Sequence, residues 1–339
     1  MLRLPPFTFR RPTSLDEALA ILAGEGAAAR LVAGGTDLWP NMKRRHQQAS
    51  TVVSLMSVPG LAGVHDGNGS GLRIGATTTL AVAAAHPAVR ARYPGLARAI
   101  DSISSPPLRA MGTLGGNLCL DTRCTYYNQT EEWRRSVSYC MKEAGTICWV
   151  ATSSPRCWAH SASDSAPMLC ALGARVRLAS REGERELPVE ALFREDGIEY
   201  LAKRPDEVVV DVALPAESDA ASCRSAFWKL RRRGSIDFAV LSAAAAVWTA
   251  ADGIVERASI WLGAVGSSPR SADAAARSLV GRRLDAESIA AAAELARKAA
   301  TPMDNTDFQT QWRKAVAGRY VEAALADCAG LPVGRLPRH

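Results

Sequence analysis

Apolar residues near the N-terminus recur at the spacing of a helix with one buried face. Four of them stand at positions i, i+3, i+4 and i+7: Leu15, Ala18, Leu19 and Leu22. Ser14 and Glu17 have the spacing of a capping box, so their side chains are predicted to accept the first free N–H groups. Gly24 is predicted to end this helix.

Short apolar runs and helical stretches alternate along the next part of the chain. Strands are predicted at 29–32, 51–55, 72–74, 176–178 and 208–212. A helical stretch is predicted over 80–103, with breaks at Pro87 and Pro94 because proline does not continue a helix, and another over 166–174.

The pattern changes after about residue 221. Two apolar stretches, 238–248 and 258–265, precede three predicted helices, near 272–280, 286–300 and 308–326. Strands followed by helices indicate a separate α+β domain.

Composition and charge narrow the classes of protein. Of the 339 residues, 47% are hydrophobic and 22% are charged, which excludes wholesale disorder. The net charge of +7 is spread along the chain and fits an anionic cofactor as well as a nucleic acid. No apolar run of membrane-spanning length and no secretory signal segment is present. We expect a cytoplasmic protein that binds neither membrane nor nucleic acid, with cysteines that do not form disulfides.

Five of the eight cysteines fall within 39 residues: Cys119, Cys124, Cys140, Cys148 and Cys157. The last four are separated by 15, 7 and 8 residues, whereas structural zinc sites usually contain tight C-x₂-C pairs. A long loop can supply four thiolates to an iron–sulfur cluster. Spacing alone favours an iron–sulfur site, and it leaves zinc and unliganded thiols as alternatives.

Two glycine-rich segments are candidates for anion binding. The first, Gly34-Gly35-Thr36-Asp37, follows a predicted strand, and the second spans 112–117. Glycine lets backbone N–H groups approach an oxyanion closely. Alone, the Gly-Gly pair is more typical of a tight turn, but the two segments together could bind a pyrophosphate from both sides.

Polar residues outside these segments, Lys229 and Asp164 among them, each allow two interpretations. Lys229 and Arg231 would share one face of a strand, where a cation could stabilise negative charge on a reduced ring. The alternative is a solvent-exposed basic strand edge. Asp164 is either a helix N-cap or a group that orients a ligand hydroxyl.

Taken in order, five segments resemble the FAD-binding subunit of the xanthine dehydrogenase/molybdenum hydroxylase family. They are 33–38, 74–78, 113–117, 163–167, and 229–233 followed by Asp237-Phe238. The resemblance covers about 7–327. It implies an α+β protein with an FAD-binding fold of the vanillyl-alcohol-oxidase (PCMH) type and a C-terminal α+β domain like that of CO dehydrogenase flavoproteins. The implied divisions are two FAD-binding subdomains, 1–56 and 57–217, and a C-terminal domain, 221–329.

The resemblance also implies the FAD contacts. The pyrophosphate would be lined by the first glycine segment: Ala33, Gly34, Gly35, Thr36, Asp37 and Leu38. Three residues would close over it: Thr113, Gly116 and Asn117. Asp164 is expected on the ribityl or adenosine side, Val210 near the ring and Lys229 at the pyrimidine edge.

The cysteine-rich segment, at about 120–160, looks like an insertion found in the 4-hydroxybenzoyl-CoA reductase β subunit. That likeness implies a [4Fe–4S] cluster on four ligands, with Cys119 as a bystander: Cys124, Cys140, Cys148 and Cys157. Because the segment is an insertion, we expect loss of Cys140 to remove iron and leave flavin bound.

The same likeness implies an electron-transfer role without catalytic residues on this chain. The partners would be a large molybdenum-cofactor subunit and a small subunit with two [2Fe–2S] clusters, in a dimer of trimers, (αβγ)₂, with ferredoxin as electron donor. The reaction would be reductive dehydroxylation of 4-hydroxybenzoyl-CoA to benzoyl-CoA. The alternatives are the same type of subunit in an enzyme for another aromatic or heterocyclic substrate, and a zinc-stabilised binding module without flavin.

Overall fold

The computed structural model describes residues 2–67, 71–216 and 222–337. Its first sheet is small and parallel, with the order β1–β3–β2. The strands are β1 (Thr8–Arg10), β2 (Ala29–Val32) and β3 (Thr51–Ser54). Helix α1 (Leu15–Glu25) connects β1 to β2 and buries Ala18, Leu19 and Leu22.

The capping-box prediction for α1 is half correct. The Ser14 hydroxyl accepts the N–H of Glu17 at 3.1 Å, as predicted. The Glu17 carboxylate, however, accepts the N–H of Thr13 at 2.7 Å. The helix continues past Gly24 and ends before Gly26, whose φ of 54° suits glycine.

The second sheet is antiparallel and has the order β4–β5–β8–β6–β7. Its strands are β4 (Val64–Asp66), β5 (Leu72–Gly75), β6 (Arg175–Ser180), β7 (Gly183–Pro188) and β8 (Val208–Ala213). The apolar patterns of β5, β6 and β8 predicted those strands. The edge strands β4 and β7 were not predicted, because their residues are mostly polar and largely exposed.

Short helices occupy much of the chain between β2 and β6. They are α2 (Leu38–Lys43), α3 (Leu80–Ala85), α4 (Pro87–Arg92), α5 (Pro94–Asp101), α6 (Pro106–Arg109), α7 (Leu114–Leu118), α8 (Glu131–Ser136) and α9 (Ser165–Ala171). Two 3₁₀ turns, Gly26–Ala28 and Val189–Leu192, complete this part. The predicted breaks are confirmed, since Pro87 and Pro94 begin α4 and α5.

The third sheet is antiparallel and is buried on both faces. Its strands are β9 (Cys223–Leu230), β10 (Leu241–Thr249), β11 (Val255–Gly263) and β12 (Arg270–Ser271), in the order β12–β11–β10–β9. Three helices pack on one face: α10 (Asp273–Leu279), α11 (Ala286–Ala299) and α12 (Thr310–Ala329). The other face joins the core of the second sheet through Phe227, Ala244 and Trp248.

Burial on both faces explains why β10 reads as a continuous apolar run. The α+β arrangement is as predicted. In the ranges described, no helix is both long enough and apolar enough to cross a bilayer.

Candidate functional site

The two glycine segments meet in a cavity of about 390 Å³. The first segment follows β2 and the second leads into α7. Nine of the predicted cofactor-binding residues line the cavity: Ala33, Gly34, Gly35, Thr36, Asp37, Leu38, Thr113, Gly116 and Asn117. The structure therefore brings together residues about 80 positions apart in the sequence.

Gly34 and Gly35 are required for different reasons. A Cβ on Gly34 would overlap the Met111 carbonyl and lie 2.9 Å from the N atom of Gly112, so the two segments touch through backbone. Gly35 has a φ of +69°, and its Cβ would overlap the Trp39 indole. Neither position has room for a side chain, so the backbone itself forms the cavity wall there.

The second segment is fixed by side-chain hydrogen bonds. The Thr113 hydroxyl accepts the N–H of Gly116 at 3.2 Å and caps α7. The Asn117 Oδ1 atom accepts the hydroxyls of Ser163, at 2.9 Å, and Ser165, at 2.6 Å. Asn117 therefore ties the cavity wall to the start of α9.

Asp37 is paired with Arg123, a residue that the sequence analysis did not identify. Its carboxylate also accepts a hydrogen bond from Asn41 Nδ2 at 2.9 Å. Burial raises the pKa of Asp37, while the Arg123 guanidinium acts in the opposite direction. The same guanidinium lies 4.7 Å from the ring centre of Phe238, another residue that lines the cavity.

Further cavity residues carried no signal in the sequence: Leu120, Asp121, Tyr200 and Lys203. Asp121 accepts hydrogen bonds from Lys142 Nζ at 2.8 Å and Gln47 Nε2 at 3.1 Å. Burial acts to raise the pKa of Asp121, but Lys142 and its other partners hold that pKa below its ordinary value. The site thus contains one buried carboxylate, Asp121, and one half-buried carboxylate, Asp37, each with a cation beside it.

Three predicted residues do not line this cavity: Asp164, Val210 and Lys229. Lys229 Nζ lies 2.6 Å from Asp164 Oδ2 and 3.2 Å from the Ser102 carbonyl oxygen. The side chains of Lys229 and Asp164 are 3% and 4% exposed, so the solvent-exposed reading of Lys229 is wrong. Arg231 also donates to Ser102 O, at 3.0 Å, which confirms that Lys229 and Arg231 share a face.

Asp164 does not cap α9 with its side chain. Ser163 takes that role, because its hydroxyl accepts the N–H of Ala166 at 3.2 Å. Asp164 Oδ1 is buried without a hydrogen-bond partner among the described residues. Burial raises the pKa of Asp164, although Lys229 acts to lower it. Val210 lies on β8, in the core that packs beneath α1.

The cysteine-rich segment forms a compact lobe around α8. Arg123 and His160, near its two ends, exchange both backbone hydrogen bonds, at 2.9 and 2.8 Å. Its four predicted ligands are free and buried: Cys124, Cys140, Cys148 and Cys157. Cys124, Cys140 and Cys157 belong to one side-chain cluster, and Cys148 shares a hydrogen bond with Cys157.

A backbone N–H donates to the sulfur of Cys157, from Ala159 at 3.4 Å. Backbone N–H groups also act to lower the thiol pKa of the other three: those of Tyr126 and Tyr127 for Cys124, Lys142 for Cys140, and Val150, Ala151 and Trp158 for Cys148. Burial raises the pKa of Cys124 to about 11, whereas the hydrogen bond from Cys157 lowers the pKa of Cys148 to about 5. Within the described ranges, no group of three or more His, Cys, Asp or Glu is placed so that it could hold a metal ion. The cluster ligands therefore stay a prediction.

We had expected the cysteine-rich segment, as an insertion, to be separate from the flavin site. The structure instead places part of it at the cavity. Leu120 and Asp121, at its start, line the cavity wall. Lys142, near its middle, holds the Asp121 carboxylate. The segment thus contributes both a surface and a charge to the site.

Comparison with known proteins assigns the family. Residues 5–217 match the FAD binding domain in molybdopterin dehydrogenase, and residues 225–328 match the CO dehydrogenase flavoprotein C-terminal domain. The chain is an FAD-binding subunit of the molybdenum hydroxylase family. This membership makes it an oxidoreductase subunit, and the paired glycine segments fit the FAD that the family binds.

One relative extends over almost the whole of this FAD-binding subunit, and another extends over most of it. It is 26% identical to the carbon monoxide dehydrogenase medium chain of Hydrogenophaga pseudoflava over 321 residues, which is 95% of this chain and 96% of that one. It is 32% identical to the aldehyde oxidoreductase FAD-binding subunit PaoB of Escherichia coli (strain K12), over 71% of this chain and 77% of that one.

A solved structure gives the same result. A chain of carbon monoxide dehydrogenase from Hydrogenophaga pseudoflava, in a form that lacks the Mo-pyranopterin moiety, superposes with a TM-score of 0.78. The superposition covers 97% of this subunit and 99% of that chain, at 26% identity. The predicted fold, with its PCMH-type FAD-binding part and its CO dehydrogenase-like C-terminal part, is confirmed.

Proposed function

We propose that this subunit carries a [4Fe–4S] cluster in addition to FAD and transfers electrons to substrate chemistry on a partner subunit. The observation that carries this proposal is a set of four buried, free cysteines in one short segment, three of which, Cys124, Cys140 and Cys157, share a side-chain cluster. Cysteine thiolates are the ligands of such clusters, and hydrogen bonds to sulfur tune their potentials.

The residues of this chain would hold FAD from three sides. Backbone N–H groups of 33–38 and the segment 113–117 suit the pyrophosphate. Lys229 contacts the Ser102 carbonyl, and the adjoining Ile103 and Ser104 line the cavity, which supports placing Lys229 at the pyrimidine edge, with Asp164 on the ribityl or adenosine side. Val210 accepts the Ala76 N–H at 2.8 Å, and Ala76 lines a smaller cavity that shares Thr113 and Gly116.

Bound FAD would exchange electrons singly or in pairs and so connect one-electron clusters to a two-electron reaction. The chain's own contribution is electrostatic. The Lys229 ammonium provides buried positive charge, which favours electron density on a nearby ring. Cys119 lines the cavity and stays outside the ligand set.

We further propose that the complex is a 4-hydroxybenzoyl-CoA reductase, with a molybdenum-cofactor subunit, a [2Fe–2S] subunit, an (αβγ)₂ assembly and ferredoxin as donor. The support is the cysteine-rich segment directly after the second glycine segment. A second candidate is a dehydrogenase acting on another substrate. The names of two relatives, a carbon monoxide dehydrogenase and an aldehyde oxidoreductase, favour that candidate.

A visible spectrum with iron and sulfide analysis of the purified complex tests the cofactors. We expect flavin bands with a broad cluster shoulder, and iron loss in Cys140→Ser but not in Cys119→Ala. Equal iron in the two variants would refute the proposed ligand set. A colourless chain that contains zinc would refute the electron-transfer role.

Turnover of the purified complex separates the two candidate enzymes. With reduced ferredoxin and 4-hydroxybenzoyl-CoA we expect benzoyl-CoA as the product. No product from this thioester, together with dye reduction by an aldehyde or an N-heteroaromatic compound, would assign the complex to the second candidate.

A further inference from the structure

Two carboxylates line a cavity that has to accept a phosphate-bearing cofactor. Asp37 lies in the first glycine segment, and Asp121 lies at the start of the cysteine-rich segment. An unpaired carboxylate would repel the pyrophosphate strongly in a partly desolvated site. Both therefore need compensating positive charge before the cofactor binds.

Lys142 supplies that charge to Asp121. Its Nζ atom lies 2.8 Å from Asp121 Oδ1, and both side chains are 6% exposed. The same ammonium donates to the Thr122 hydroxyl and to the Gly197 carbonyl oxygen, at 2.8 and 2.5 Å. Cys140, a proposed cluster ligand, lies two residues before Lys142 in the chain. The cation that pairs with a cavity carboxylate is therefore held in the same turn of chain as a proposed cluster ligand.

Arg123 supplies the charge to Asp37. It pairs with the Asp37 carboxylate, donates to Asn41 Oδ1 at 3.3 Å, and stacks on Phe238. Its side chain is 5% exposed, and the next residue in the chain is Cys124. Both neutralising cations thus come from the cysteine-rich segment.

We propose that Lys142 and Arg123 are positioning residues of the flavin site, so that FAD and an ordered cysteine-rich segment stabilise each other. This inference rests on the proposed binding of FAD in the cavity. When the segment is folded, its cations neutralise Asp37 and Asp121, and the cavity accepts an anion. By linkage, a bound anion must then favour the folded segment by the same factor.

The experiment compares FAD affinity in full-length chains stripped of flavin: wild type, Lys142→Met, and Lys142→Met combined with Asp121→Asn. Lys298→Met is the matched control, because Lys298 is exposed on α11. We expect Lys142→Met to weaken FAD binding by roughly 5- to 150-fold, the usual range of such couplings. The double variant should recover most of the affinity, since the unpaired carboxylate is gone.

Hydrogen exchange of amides in 131–150, with and without FAD, gives the reciprocal measurement. FAD should slow this exchange in the wild type and have a smaller effect in Lys142→Met. Two outcomes would overturn this inference but not the proposed binding of FAD: an unchanged FAD affinity in Lys142→Met, or an FAD affinity in the double variant that is as low as in the single variant. A wild-type chain that binds no FAD would overturn the proposed function as well.

Discussion

Replacing Gly34 by alanine tests whether the two glycine segments must touch. A Cβ at this position overlaps the Met111 carbonyl and lies 2.9 Å from Gly112 N, and both neighbours are backbone atoms that cannot rotate away. Relief requires the segments to move apart. Inserting a methyl group into a packed site usually costs about 1–3 kcal/mol.

The cost of this overlap should lower either the thermal stability of the chain or its affinity for FAD. If the segments stay together, Gly34→Ala lowers the stability of the folded chain, by about 2–12 °C in Tm for a unit the size of residues 5–217. If they separate, FAD must close them again, and its Kd rises by about 5- to 150-fold. Flavin fluorescence titration and thermal unfolding of the same preparations measure both.

Gly24→Ala is the matched control. Gly24 is exposed within α1, and a Cβ there meets nothing within 4 Å. The control should gain up to about 1 kcal/mol of helix stability and keep its FAD affinity. A Gly34→Ala chain with wild-type Tm and an FAD Kd within twofold would refute the claimed contact between the segments.

Three further predictions concern buried polar groups. Lys229→Met should lower the free energy of unfolding by about 3–5 kcal/mol, because it leaves Asp164 buried without its cation. Denaturant titration measures this, and a loss below about 1 kcal/mol would contradict the prediction. The buried His160 has a pKa of about 4, below its ordinary 6.5, so the unfolded chain gains its proton first. Stability should fall by about 3 kcal/mol as pH drops from 6.5 to 4, and His160→Gln should flatten that slope in pH-dependent melts. Asn117→Ala should lower stability by about 1–3 kcal/mol, because the hydroxyls of Ser163 and Ser165 lose their acceptor, and an unchanged Tm would count against it.

The elements that the sequence predicted are those whose own residues carry the reason for their structure. Helix α1 has an apolar face, and the prolines at the first positions of α4 and α5 mark where those two helices begin. Strand β7 was missed because most of its residues are exposed, and its side chains interact with solvent or with polar groups on β6, as Glu186 on β7 does with Arg175 on β6. An exposed edge strand has no apolar alternation to detect.

The residues of the site also fall into a part that the sequence predicted and a part that it did not. Glycine segments could be recognised because close backbone approach needs glycine wherever it occurs in a chain. The pairing of Lys142 with Asp121, 21 residues away, has no local signature, because it depends on how the cysteine-rich segment folds back. The same holds for Lys203, which reaches the cavity from a loop that no periodicity distinguishes. Backbone requirements were therefore predictable, and charge compensation was not.

The paired backbone of Arg123 and His160 holds the two ends of the intervening lobe side by side. Two residues that exchange both hydrogen bonds form an antiparallel rung that a two-residue Asn-Gly turn can close. Excising 124–159 in this way would give a shortened protein that keeps both glycine segments and loses all four thiols. Such a truncation would also remove Lys142, the cation paired with Asp121. A shortened chain that still binds FAD would therefore need an uncharged residue at position 121.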